Sequence, residues 1–118
     1  MTEKKDLIFI NHILGSIDAI EDFSNNLSKE ELFSNRLKQS AIVREIEIIG
    51  EAVKNISDSV KRKYNKIQWN EISGTRDKII YHYFGVDLNI IWDIIKKDIP
   101  ELKKEILGIR KKIGGERE

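Results

Sequence analysis

Between Arg76 and Asp87 the chain reads Arg76, Asp77, Lys78, Ile79, Ile80, Tyr81, His82, Tyr83, Phe84, Gly85, Val86, Asp87. A guanidinium, an imidazole and two phenols are thereby gathered within about two helical turns. Arginine offers a permanently charged planar fork that matches phosphate oxygens and steadies charge developing on them. Histidine, with an ordinary pKa near ~6.5, takes a proton from one oxygen and returns one to another at neutral pH. On RNA the adjacent 2′-hydroxyl is an internal nucleophile, so these two groups suffice for strand cleavage without a cofactor. In a regular helix of ~100° per residue, Tyr83 lies about 20° from Arg76 and His82 about 120° away. Arg76 and Tyr83 share a face; His82 joins them only if the helix unwinds toward Gly85 or a second subunit supplies its own Arg76.

Helices must position these residues. Leu7, Ile10, Ile13, Leu14, Ile17 and Ile20 recur at spacings of three and four and predict a first helix that ends near Asn25 and Asn26. Ser28 and Glu31 have the form of a capping box, and Asn35 is placed to cap a longer helix. In that helix Ile42, Ile46, Ile49, Val53 and Ile56 form a stripe that Leu37, Ala41, Ile48 and Ala52 widen. Gly50, in its interior, predicts close approach of another helix. A basic connector follows from Ser57 to Asn70, with Lys61, Arg62, Lys63 and Lys66 around Tyr64, enough for one helical turn. Ile72, Ile79, Ile80 and Tyr83 predict a third helix ending at Gly85, and Asp87 can cap the next. A near-heptad stripe from Leu88 to Ile113 runs through the only proline, Pro100, which predicts a kink or a fresh start capped by Asp98. No segment alternates with period two. The expected fold is all-α, an up-and-down bundle of four or five helices in a single domain over residues 1–118, with a frayed tail from about Gly114.

Composition narrows the chemistry. The 118 residues contain no cysteine and two histidines, His12 and His82, which exclude thiol nucleophiles, iron–sulfur clusters and cysteine or paired-histidine metal centres. No phosphate-cradling glycine loop or dinucleotide fingerprint is present. Net charge is +1, yet residues 1–60 carry 7 Lys/Arg against 11 Asp/Glu, while 61–118 carry 14 against 9. That asymmetry suits an anionic ligand on the second half, or self-association. No apolar run reaches the ~18 residues of a membrane span, and the first residues are too polar for a signal peptide, so a cytoplasmic protein is expected.

Taken in order, these residues resemble the HEPN superfamily, specifically the HepT-like ribonuclease toxins paired with minimal nucleotidyltransferases. The similarity runs from His12, Ile13, Leu14 and Ile17 through Ala41, Ile42, Arg44, Glu45, Ile46, Ile49, Gly50, Glu51 and Ala52. It continues at Trp69, Ile72, Gly74, Arg76, Tyr83, Phe84, Gly85, Val86, Asp87, Trp92 and Pro100. The resemblance implies a helical homodimer whose two motif copies face one another across a cleft, and a metal-independent endoribonuclease acting on RNA such as tRNA. It implies catalysis by Arg76 and His82, and neutralisation by a cognate nucleotidyltransferase antitoxin that attaches AMP to Tyr83. The branch's usual motif is Arg, four residues, His, any residue, Tyr. Arg76 and Tyr83 match it; Tyr81 stands at the histidine position, and His82 satisfies the looser spacing of the superfamily. Arg44 and Glu51, seven apart on one helix face, are candidates to support the cleft.

Two functions follow. In the first the chain is a ribonuclease toxin silenced at Tyr83. In the second the Tyr81 replacement has ended cleavage, and the bundle is a binding module that engages the nucleotidyltransferase or a nucleotide. Elsewhere the residues read more plainly: His12 as a packing histidine, Trp69 and Trp92 as core anchors, and Lys61 to Lys66 as a solvated connector or a track for an RNA backbone.

Overall fold

A computed structural model describes residues 2–75, 78 and 87–115. Helix α1 (Thr2–Ser24) is followed by α2 (Lys29–Ser34), α3 (Arg36–Lys54), α4 (Asp58–Lys63) and α5 (Trp69–Ser73). After residue 87 come α6 (Leu88–Asp93), a π-helical turn (Ile94–Asp98) and α7 (Ile99–Gly115). No strand occurs among the described residues, and the all-α bundle expected from the sequence is what forms.

Local chemistry sets the boundaries. Asn26 takes a left-handed backbone (φ 59°), which ends the run begun by α1. Ser28 and Glu31 form the reciprocal capping box, with Glu31 N–H donating to Ser28 Oγ at 3.1 Å and Ser28 N–H to Glu31 Oε1 at 3.0 Å. Those bonds hold the Glu31 carboxyl below its ordinary pKa. Asn35 Oδ1 accepts from Lys38 N–H at 3.0 Å and opens α3.

Three long rods make the core. The α1 stripe (Ile10, Ile13, Ile17, Ile20) meets Ile42, Ile46, Ile49 and Val53 of α3, and Leu102, Ile106, Ile109 and Ile113 of α7 complete it. Both partners run antiparallel to α1. Asp6 near its start reaches Ser57 just beyond α3, and Glu21 near its end meets Lys103 early in α7 at 2.8 Å. One residue of the expected stripes, Leu37, falls off the buried face. Leu7 is half-buried, and Leu37 is 79% exposed, because nine residues before Ile46 it falls about half a turn round the helix from the buried face.

The connector between α3 and the site holds more structure than one turn. Ser57 caps α4, accepting from Val60 N–H at 3.3 Å, while the buried carboxylate of Asp6 accepts from Ser57 N–H (2.7 Å) and Ser57 Oγ (2.6 Å). Beyond α4 the chain turns sharply: Tyr64 O accepts from Ile67 N–H at 3.2 Å and from the indole Nε1 of buried Trp69 at 3.1 Å. Among the described residues the Tyr64 hydroxyl is buried with no hydrogen-bond partner. A hydroxyl desolvated in this way costs about 1–3 kcal/mol, so Tyr64→Phe is expected to raise the melting temperature by a few degrees in a calorimetric scan while preserving the ring's contacts.

Pro100 produces neither a fresh start nor a cap at Asp98. The helix runs on, and the disturbance appears one turn upstream as the π turn, where Ile99 N–H donates to Ile94 O five residues back. α7 then continues through Gly114 to Gly115.

Candidate functional site

The four motif residues, Arg76, Tyr81, His82 and Tyr83, lie outside the described residues. Their flanks are described. α5 ends at Gly74, whose N–H donates to Asn70 O at 3.0 Å, and Thr75 Oγ1 donates to Glu71 O at 2.9 Å. On the far side Asp87 caps α6, its Oδ1 accepting from Asn89 N–H (3.1 Å) and Ile90 N–H (3.3 Å) as expected from the sequence. The motif therefore joins the end of one fixed helix to the capped start of another. α5 lies against Gly50 of α3. A Cβ there would sit 3.4 Å from Ser73 O and 3.5 Å from Ile72 O, in van der Waals contact, so the α5 backbone passes directly over α3 at Gly50.

Arg44 and Glu51 are exposed on α3 and line one shallow pocket of about 260 Å³ against α1, together with Phe9 and His12. Glu51 pairs with Lys54 at 3.7 Å rather than with Arg44. His12 is exposed and packs edge-on against Phe9, the ring centroids 5.8 Å apart, in keeping with a packing role.

A second, larger groove of about 370 Å³ lies beside the motif flanks and was not anticipated. Its apolar lining comes from Ile46 and Ile49 of α3, Ile72 of α5, and Ile94, Ile99 and Leu102 of the last helix. The α5 side adds Lys66, Gln68, Glu71, Thr75 and Lys78, whereas the side of the last helix adds Asp98, Glu101 and Glu105. The sequence hint was the spacing of those carboxylates, which places them on one side of a helix whose other side is apolar. Burial pushes the Asp98 carboxyl above its ordinary value, Glu101 and Asp93 add to this, and Lys78 and Lys97 offset part of it. Glu105 is raised by burial and then by Glu101. Among the described residues no group of three His, Cys, Asp or Glu side chains is arranged to hold a metal ion.

A carboxyl whose pKa is higher in the folded than in the unfolded chain stabilises the fold below the unfolded value, and that contribution is lost as pH rises through the folded one. Asp98→Asn is therefore expected to raise the melting temperature at pH 7 and to change it little at pH 3. A thermal scan at the two pH values checks this.

A helical bundle with an Arg-to-His stretch between a short helix and a capped long one is the layout of a HEPN-type protein. A profile of the ribonuclease HepT-like family matches residues 13–109, and the chain belongs to that family. Among curated proteins it is 46% identical to a gamma-glutamylcyclotransferase and candidate RNase of Methanocaldococcus jannaschii, over 93% of this chain and 50% of that protein. The chain thus spans half the length of this relative. A second M. jannaschii protein, named as a candidate RNase, is 43% identical over 98% of this chain and 96% of its own length. The probable ribonuclease HepT of Thermococcus cleftensis is 40% identical over 87% of this chain and 94% of its own. No solved structure matches the chain.

Proposed function

We propose that the chain is the ribonuclease toxin of a toxin–antitoxin pair, acting in the cytoplasm as a homodimeric endoribonuclease that needs no metal. The observation that carries this reading is the family match across residues 13–109, which contains the Arg76 to Tyr83 stretch. His82 accepts the proton of the RNA 2′-hydroxyl as that oxygen attacks phosphorus. The bond to the 5′-oxygen breaks, the leaving oxygen takes a proton, and the products carry a cyclic 2′,3′-phosphate and a free 5′-hydroxyl. Arg76 stabilises the charge that accumulates on the phosphoryl oxygens. Arg44 and Glu51 support the cleft between the two copies.

Neutralisation falls on Tyr83. A cognate minimal nucleotidyltransferase attaches AMP to its hydroxyl, placing a negative charge where substrate phosphate must sit. The reading is tested with purified tRNA and a generic single-stranded RNA in excess chelator. Cleavage with cyclic-phosphate ends supports it, and silence of the well-folded protein on several RNAs overturns it. In the second reading, favoured by Tyr81 at the family's histidine position, the module binds the nucleotidyltransferase or a nucleotide without cutting. A phenol of pKa ~10 is a poor general base at pH 7.

A further inference from the structure

Two basic segments far apart in sequence meet at Tyr64. Lys63, in the last turn of α4, lies 5.7 Å from the centre of the Tyr64 ring, and Lys112, in the last turn of α7, lies 5.7 Å from the same centre. The ring's negative faces hold two ammonium groups that would otherwise repel each other. Among the described residues the ion pairs join Lys54 to Glu51 and Lys103 to Asp18 and Glu21, so neither Lys63 nor Lys112 has a carboxylate partner. Arg62 and Lys66, close by in sequence, are exposed, and among the described residues neither belongs to one of those ion pairs. Helix ends alone do not require so many cations. Two C-terminal turns present about one unit of negative charge between them, fewer than the four cations named here.

The surface also has a direction. Lys66 sits on the turn pinned by the Trp69 indole, and it lines the same groove as Thr75 and Lys78, the residues flanking Arg76 in sequence. Lys63 and Lys112 meet at Tyr64, Lys66 follows two residues after that ring, and Lys66 shares its groove with Lys78, which lies in sequence beside the motif. The opposite wall carries Asp98, Glu101 and Glu105, with Glu71 the one carboxylate on the α5 side of the groove, so phosphate is repelled more strongly from the α7 wall than from the lysine side.

We propose that this track, from Lys112 and Lys63 across Lys66 to Lys78, is the binding path of the single-stranded RNA backbone on its way to the cleavage motif. It rests on the RNA-cleaving reading for the identity of the ligand. Its chemistry is phosphate contact by lysine, so it sets affinity and register and reads no base. The test is binding of a fluorescent single-stranded 2′-O-methyl RNA, which lacks the nucleophile and cannot be cut, followed by anisotropy across a range of KCl concentrations. Each phosphate contact with a single strand adds ~0.7 to the slope of log affinity against log salt. Lys63→Ala/Lys112→Ala is expected to lower that slope by about 1.4 and to weaken binding on the order of tenfold at 0.1 M salt. Lys29→Ala/Arg36→Ala removes the same charge from an exposed surface elsewhere and leaves the slope unchanged. Equal loss in both double variants, or none in the first, overturns the proposal. Binding with the expected slope change but no cleavage of unmodified RNA leaves the track standing and defeats the ribonuclease reading. Cleavage of unmodified RNA with an unaltered slope does the reverse.

Discussion

Arg76→Ala is expected to lower the rate of RNA cleavage by at least ~100-fold, the cost of removing one stabiliser of developing phosphoryl charge. In the proposed reaction a dianionic phosphorane-like state forms while no metal helps carry the charge, so the guanidinium is the main stabilising cation. Arg76→Lys should recover only part of the rate, because an ammonium gives the charge without the two-pronged match to phosphate oxygens. His82→Ala is expected to cost a similar factor or more through loss of proton transfer. The comparison with Tyr81→Phe is informative: if His82 alone moves protons, Tyr81→Phe retains most of the activity. Single-turnover cleavage of one defined RNA, in chelator and with each variant purified in parallel, gives these rates. Equal cleavage by wild type and Arg76→Ala would falsify the site assignment.

The largest effect on stability is expected at Asp6. Its carboxylate is 1% exposed and receives both the N–H and the hydroxyl of Ser57, bonds of 2.7 and 2.6 Å that close a span of 51 residues. Each hydrogen bond to a charged group contributes about 1.5–3 kcal/mol, so with two of them Asp6→Ala should destabilise the fold by about 3–6 kcal/mol. Ser57 also caps α4, and its hydroxyl accepts from Val60 N–H, so freeing Ser57 loosens the connector toward the site as well. Asp6→Asn keeps one acceptor and should fall between. Urea titrations of Asp6→Ala, Ser57→Ala and the double variant provide the check. The double variant should cost less than the sum of the two, as for any pair that acts through a shared contact.

Much of this architecture can be read from residue type and spacing. The capping residues Ser28, Asn35 and Asp87 do in the structure what their chemistry predicts, because an N-cap depends only on a side-chain oxygen and the few amides after it. Gly50 likewise lies where the α5 backbone passes over α3, the close approach that its place inside a helix predicts. Other features depend on residues distant in sequence. Asp6 shows no sign locally of serving Ser57, and neither Lys63 nor Lys112 reveals that Tyr64 lies between them. Leu37 misled in the opposite way, since its apolar side chain fits the composition of the stripe but not its phase. Pro100 announced a disturbance correctly but not its form, because a helix can accommodate a missing donor by widening a turn as well as by stopping. For the site, the motif itself was legible in the sequence, and the roles of Arg76, His82, Tyr81 and Tyr83 rest on that reading.

The π turn between α6 and α7 separates two tasks along one continuous rod. The stretch before it packs on α2 and begins directly after the motif, whereas the stretch after it is laid along α1 and anchored there by Lys103. A turn widened by one residue resets the phase of the apolar stripe, so that Ile91, Ile94 and Ile95 before Pro100 and Leu102, Ile106 and Ile109 after it are all buried in one core. The extra residue thus works as a register adjustment, through which one rod keeps a single buried face along its whole length.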